Sequence, residues 1–317
     1  MKTSNQPFPK AKVLVIVGPT AVGKTSFSID LALALNGEII SADSRYLYRG
    51  MDIGTAKPNM TERCGVSHHL IDVANPDELW SLAKFQREVY RLILEILQRG
   101  KLPIIVGGTG QYIRAVTQGW TPPEIKPHLE MRKILENWAM EINTTGLHQR
   151  LSILDPSAAE NIDHRNLRRT IRALEVALLS GRRFSDQRKV EDVFFQPIQI
   201  GLELPREILY QKIDLRIGTM FENGLIEEVK SLLNNGYAKF LPSMSAIGYR
   251  EVADYLEGRI SLVDCVSLIK RSTRVFVRRQ ANWFKKEDPQ IHWFDPRQEP
   301  PDRLISIIKT YLENPYG

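Results

Sequence analysis

The chain has 317 residues, 43% of them hydrophobic and 25% charged, the proportions expected of a soluble globular protein with ample core. No apolar run reaches the roughly 20 residues needed to span a bilayer, and the short, polar first ten residues lack the apolar centre of a secretory signal. Two cysteines, Cys64 and Cys265, are too few for a zinc ribbon or a disulfide framework, so a reducing cytoplasm is expected; the formal net charge of +6 leans toward an anionic partner.

In chain order, the β-branched run Val13-Leu14-Val15-Ile16-Val17 reads as a buried parallel strand. Gly18-Pro19-Thr20-Ala21-Val22-Gly23-Lys24-Thr25 follows and matches G-x-x-x-x-G-K-[ST] at the entry to a helix. The two glycines allow a loop whose N–H groups converge, and the helix N-terminus adds a positive dipole end. Lys24 brings a point charge and Thr25 a hydroxyl for Mg²⁺. The pattern predicts a phosphate or diphosphate site. It does not say whether a phosphoryl group moves.

A helix is expected from Gly23 to Leu35 and a strand over Glu38 to Ala42, ending at Asp43-Ser44-Arg45. Met51 to Pro58 is irregular. Leu79 to Gly100 carries an amphipathic helix with Phe85, Val89, Leu92 and Ile96 on one side, and Leu102 to Val106 is another strand, ending in Gly107-Gly108-Thr109-Gly110. Strands alternating with helices imply a doubly wound parallel sheet whose ligands lie beyond the strand C-termini, where Lys24, Asp43 and Thr109 all fall. The character changes near Trp120. Residues 121–195 read as helical without strand signal, with helices at Pro127 to Ile142, Leu147 to Leu154 and Asn166 to Leu179. The sheet returns over Gln196 to Leu202, and a last strand is expected at Ile291 to Phe294. The domains are therefore a P-loop NTPase-like α/β core over 1–120 plus 196–317 and an inserted all-helical subdomain over 121–195.

Base concentrates in two places. Arg165, Arg168, Arg169 and Arg172 are placed on one insertion helix whose apolar stripe is Leu167, Ile171, Leu174 and Leu178; Arg182, Arg183, Arg188 and Lys189 follow it. Arg271, Arg274, Arg278 and Lys285 recur at helical spacing opposite Leu262, Val266, Ile269 and Phe276. Each is a solvated face or a surface for nucleic acid.

The chain resembles the bacterial tRNA dimethylallyltransferases, or tRNA isopentenyltransferases, over nearly its whole length. The resemblance rests on Gly18 to Thr25, Ser41-Ala42-Asp43-Ser44-Arg45, Met51-Asp52-Ile53-Gly54-Thr55-Ala56-Lys57-Pro58 and Gly65 to Asp72. It continues through Gly107-Gly108-Thr109-Gly110 with Tyr112, Arg172-Ala173-Leu174-Glu175, Arg216 to Val229, Ile247-Gly248-Tyr249-Arg250-Glu251, and Thr273-Arg274 with Arg278-Arg279-Gln280 and Trp283.

The resemblance implies transfer of a dimethylallyl group from dimethylallyl diphosphate to the N6 amine of the adenosine 3′-adjacent to the anticodon, position 37 of tRNA, with diphosphate released. It implies that Gly18, Pro19, Thr20, Ala21, Val22, Gly23, Lys24 and Thr25 hold the diphosphate with Mg²⁺ at Thr25, and that Arg216 clamps it. Asp43 is the expected general base for the poorly nucleophilic amine, and Thr109 is expected against the RNA or its target base. The same resemblance assigns RNA contacts to Asp43, Ser44, Arg45 and Tyr46, to Arg132, to Arg168, Arg169, Thr170, Ile171 and Arg172, and to Ser245, Ala246, Ile247, Gly248, Tyr249 and Arg250. The target base is expected to swing out of the anticodon loop to reach Asp43. Family members commonly carry Gln where this chain has Tyr46, and a ring there offers stacking in place of a base-edge hydrogen bond. The turn at Ser245-Ala246-Ile247 is less basic than in some relatives, and two lone cysteines exclude the zinc finger that eukaryotic members often add.

Other readings compete. A P-loop small-molecule or nucleotide kinase shares the cradle, but the strand ending at Gly107 carries no terminal Asp. An isopentenyltransferase acting on free adenine nucleotides needs no wide basic surface. A GTP-dependent RNA switch would need an N-K-x-D motif, which is missing. His68 and His69 are read as loop residues rather than metal ligands, and Trp283, Trp293 and Phe294 as core. A monomer without membrane contact is expected.

Overall fold

The computed structural model describes residues 10–123, 125–187 and 189–313. The chain opens with β1 (Ala11–Val17), α1 (Lys24–Ala34), β2 (Gly37–Ser41), β3 (His68–His69), α2 (Leu82–Gln98), β4 (Leu102–Val106) and α3 (Gly110–Thr117). It continues through β5 (Trp120–Thr121), α4 (Leu129–Leu154), α5 (Pro156–Asn161), α6 (Leu167–Ser180) and β6 (Lys189–Val190). Then follow β7 (Phe195–Leu202), α7 (Arg206–Glu222), α8 (Leu225–Asn234), α9 (Tyr249–Leu256), α10 (Leu262–Ala281), β8 (Ile291–Phe294) and α11 (Pro301–Glu313). Two compact units result, Met1–Val116 with Val193–Gly317, and Thr117–Asp192.

In the first unit a six-stranded sheet runs β3-β2-β4-β1-β7-β8 among the described residues, and every pairing in it is parallel. Parallel sheets need cover on both faces, so the central strand β1 is apolar from Val13 onward: Val13, Leu14, Val15, Ile16 and Val17 are each fully buried. Leu14 stands beside Ile104 on one neighbour and Ile198 on the other. The chain leaves β1 toward β2 on one side of the sheet and later returns to β7 on the other, so the C-terminal end of β1 is a topological switch point, where α/β ligands bind. The doubly wound parallel sheet expected from the sequence is present.

The second unit is built mainly from α4, α5 and α6 around Leu135, Ala139, Leu147, Leu151, Ile171 and Leu174. Its two predicted leading helices form one element, broken only at Asn143, whose φ of 59° and ψ of 170° are not helical. A short helix that the sequence pattern missed, α5, is capped by buried Asp155, which accepts from the Ala158 amide at 3.0 Å. The segment read as free of strands holds β5 and β6, an antiparallel pair of two residues each. Strands that short carry no period for a sequence reading to detect.

Candidate active site

Gly18 leaves β1 with φ of +143°, and a Cβ there would meet the Leu202 carbonyl oxygen at 2.4 Å. Gly23 takes φ of +104° at the N-cap of α1 and offers no side-chain cap, so the orphan amides of the first turn stay available to an anion. Lys24 folds back over the loop, its Nζ donating to the carbonyls of Gly18 at 3.0 Å and Pro19 at 2.7 Å. Burial lowers its pKa to about 8; Asp43 nearby pulls upward and Arg216 adds to the lowering.

Gly23 and Lys24 line a cleft of about 570 Å³. Its walls include Thr20, Thr25, Asp43, Tyr46, Lys212 and Arg216, so the loop, the end of β2 and one face of α7 converge within the first unit. Arg216 donates to the Thr55 carbonyl at 3.0 Å, while its Nε is buried with no partner among the described residues. A buried unpaired donor costs about 1–3 kcal/mol, which an anion in the cleft relieves. Lys212 lies one helical turn before Arg216, on the same face of α7. Asp43 Oδ1 accepts from the Arg45 amide at 2.9 Å, so this oxygen closes the turn after β2.

Three further contacts hold the cleft in shape. Gln280, buried in the last turn of α10, accepts from the Thr20 amide at 2.9 Å and donates to the Gly108 carbonyl at 3.1 Å. Glu228 on α8 accepts from the amides of Asp52, Ile53 and Gly54 at 2.9, 2.8 and 3.1 Å, which fixes the loop that presents Thr55 to Arg216. Arg45 donates to the carbonyls of Pro242 at 2.7 Å and Ser243 at 3.2 Å, joining the Asp43 turn to the segment before α9. Sequence reasoning gave no role to Gln280 or Glu228; a polar residue within an otherwise apolar helix face is the signal that was available.

The chain matches the model of the IPP transferase family over residues 46–287 and that of the isopentenyl transferase family over residues 11–78. It is 50% identical over 274 residues to the tRNA dimethylallyltransferase of Roseiflexus sp. (strain RS-1), covering 86% of this chain and 90% of that one. It belongs to the IPP transferase family. The full-length tRNA isopentenylpyrophosphate transferase from Bacillus halodurans superposes with a TM-score of 0.73 at 41% identity, over 97% of this chain and 98% of that one. A eukaryotic dimethylallyltransferase described as acting on tRNA superposes with a TM-score of 0.82 at 29% identity, over 96% and 80% of the two chains.

Within this family member the residues expected at the site divide into those that meet in the cleft and those that do not. Thr20, Ala21, Gly23, Lys24, Thr25, Asp43, Tyr46 and Arg216 line it. Gly18 and Pro19 act through the carbonyls that hold Lys24, and Val22 is buried in the core. Thr109 is not on the cleft wall: its Oγ1 accepts from the Ser44 amide at 3.4 Å and braces the Asp43 turn. Tyr46, expected as an RNA contact, lines the same cleft as Asp43, where its hydroxyl donates to the Ala56 carbonyl at 2.8 Å. Burial, with Asp43 adding to it, pushes that phenol up to about 12.

Of the expected contacts over residues 245–250, Ser245 and Arg250 are exposed. Ala246 is buried, Ile247 packs against the core, and Gly248 is buried. Tyr249 is a core residue whose hydroxyl donates to Glu228 at 2.5 Å. His69 Nε2 sits 2.7 Å from Glu38, and the His68 ring contacts the Val66 carbonyl. Trp283, Trp293 and Phe294 pack half-buried on the core.

In the second unit Thr170 and Ile171 are buried and build the bundle, while Arg168 and Arg169 are exposed. Leu178, expected in the buried stripe, is 49% exposed. Arg165 precedes the helix, which begins after the Asn166 cap, and pairs with Asp163. Arg132 and Arg172 both close on Glu175, a carboxylate with no exposed side-chain surface, at 2.9 and 2.6 Å. Burial works against the charge on Glu175, but hydrogen bonds from Arg132, Arg172 and the His128 amide outweigh it and hold its pKa below the usual carboxylate value. Their spacing in sequence did not reveal that these two arginines answer a buried charge.

Proposed function

We propose that the chain transfers a dimethylallyl group from dimethylallyl diphosphate to the N6 amine of the adenosine at position 37 of tRNA, next to the anticodon on its 3′ side. The N6 lone pair forms a bond to the allylic carbon as the allylic C–O bond breaks. The electron pair leaves on diphosphate, and the amine proton passes to the Asp43 carboxylate. Lys24, the amides at the start of α1 and Arg216 receive the charge that develops on the leaving group; each preorganised donor of this kind is commonly worth about 10²–10³ in rate. The observation that carries the reading is the orphaned Arg216 Nε in the same cleft as Lys24 and Asp43.

Thr25 and Asp43 present hard oxygen donors in that cleft, a set that suits Mg²⁺ shared with substrate phosphates. Thr25 would hold the ion, which when bound supplies further positive charge to the diphosphate. On the RNA side, Arg168, Arg169, Ser245 and Arg250 are the exposed members of the expected contact set. No described helix is long and apolar enough to cross a membrane, and a cytoplasmic location is part of the proposal.

The test uses radiolabelled dimethylallyl diphosphate with Mg²⁺ and either unmodified tRNA or AMP. Label on tRNA with none on AMP is the expected result. Equal turnover of AMP assigns the chain to free nucleotides, and label on neither removes the prenyl-transfer reading.

A further inference from the structure

Outside the cleft, α7 and α10 of the first unit enclose a second concavity of about 440 Å³, lined by Arg206, Tyr210, Ser267, Lys270, Arg271, Arg274 and Arg278. It contains no carboxylate among its lining residues, although it gathers five cations. Arg274 spends one nitrogen on Asp214 at 2.7 Å, leaving its Nε buried and unpaired among the described residues. Arg206 Nε donates to the Tyr210 hydroxyl at 3.0 Å. The side chains of Lys270, Arg271 and Arg278 make no hydrogen bond or ion pair among the described residues. The guanidinium carbons of Arg206 and Arg274 stand 5.2 and 5.1 Å from the centre of the Tyr210 ring.

Like charges crowded in one hollow repel each other, and a fold that needed them only for solubility would spread them over the surface. A structural role would require carboxylates, as Glu175 provides for Arg132 and Arg172 in the second unit. Asp214 answers Arg274 alone, so among the described residues four of the five cations in the groove lack a carboxylate partner. From Lys270 to Arg278 the cations extend along roughly 12 Å of helix axis, more than one compact diphosphate spans. An arginine-flanked aromatic ring within such a row suits a nucleotide chain, whose phosphates take the guanidinium forks and whose bases or sugars lie on the ring.

We propose that this α7–α10 groove is a second anion site, distinct from the diphosphate cleft, which takes the sugar–phosphate backbone of the RNA substrate. The proposal rests on the tRNA reading above. It adds a contact surface on the first unit, and α7 serves both sites: Lys212 and Arg216 face the cleft while Arg206 and Tyr210 face the groove.

The experiment measures tRNA affinity of the full-length protein against KCl concentration, for wild type, Lys270→Ala combined with Arg271→Ala, and Arg206→Ala. Binding of inorganic pyrophosphate is followed by calorimetry on the same proteins. Loss of two phosphate contacts should weaken tRNA binding about tenfold at moderate salt and flatten the log–log salt slope by roughly one to two units. Pyrophosphate affinity at the cleft and Tm should be unchanged. An unchanged salt slope overturns the proposal. A wild type that binds two pyrophosphates, with one lost in the double variant at unchanged tRNA slope, also overturns it and gives the groove to free phosphates. If wild type makes no prenylated tRNA, the functional reading falls alone, because the salt slope still scores the groove.

Discussion

Gln280 and Thr20 lie 260 residues apart in sequence, yet the Gln280 carboxamide accepts the Thr20 amide at 2.9 Å while its other end donates to Gly108. One side chain from the C-terminal part of the chain thus ties the phosphate loop to the neighbouring strand end. The loop's geometry depends on α10 being docked, not on the loop's own sequence alone.

Gln280→Leu removes both bonds and leaves the Gly108 carbonyl and Thr20 amide to find other partners. Pyrophosphate affinity should fall about tenfold, and stability by about 1–3 kcal/mol. Calorimetry and thermal unfolding check the two effects separately, and loss of stability without loss of affinity would make Gln280 a packing residue only.

Asp43→Ala should reduce transfer by about 10²–10⁴-fold, the usual worth of a positioned general base, while tRNA affinity stays near wild type. Single-turnover kinetics with saturating tRNA provide the measurement. Full activity in the variant refutes the assignment.

Lys24 with a pKa near 8 gives the donor step a pH dependence. Below that pH the ammonium is charged and attracts the diphosphate; as pH rises through it the charge is lost, so kcat/KM for dimethylallyl diphosphate should fall above about pH 8. Bound diphosphate favours the charged form, so the corresponding fall in kcat should come at higher pH. Lys24→Ala should be slow at every pH and lose the alkaline limb assigned to this group.

Tyr46→Phe deletes the hydroxyl that holds the Ala56 carbonyl. Because the side chain lines the diphosphate cleft, the expected change is a higher KM for dimethylallyl diphosphate at constant tRNA affinity. A change confined to tRNA affinity would make Tyr46 an RNA contact with no part in holding the diphosphate.

In the second unit the arginines separate by role. Arg172→Ala leaves Glu175 buried with one guanidinium fewer and should cost about 3–5 kcal/mol, read as a lower Tm. Arg168→Ala with Arg169→Ala should leave Tm unchanged and flatten the salt dependence of tRNA binding by roughly one to two units.

Much of this architecture is legible in the residues. The β-branched run at Val13–Val17 and the glycine spacing after it announce both strand and cradle, because each local rule agrees with the global fold there. The limits are physical as well. Glu175 and Arg132 meet across α4 and α6, Glu228 reaches the Met51–Pro58 loop, and Gln280 reaches Thr20; no period along one element encodes such contacts. Tyr46 shows the same limit: the resemblance named it an RNA contact, and only the path of the chain after β2 shows that its side chain lines the cleft with Asp43.

The most direct test is a crystal of the protein with Mg²⁺ and a non-reactive thio analogue of dimethylallyl diphosphate. The diphosphate should lie on the Gly18–Thr25 loop within hydrogen-bond reach of Lys24 and Arg216 Nε, with the allylic carbon toward Asp43. An empty loop, with the analogue bound elsewhere on the chain, would contradict the account.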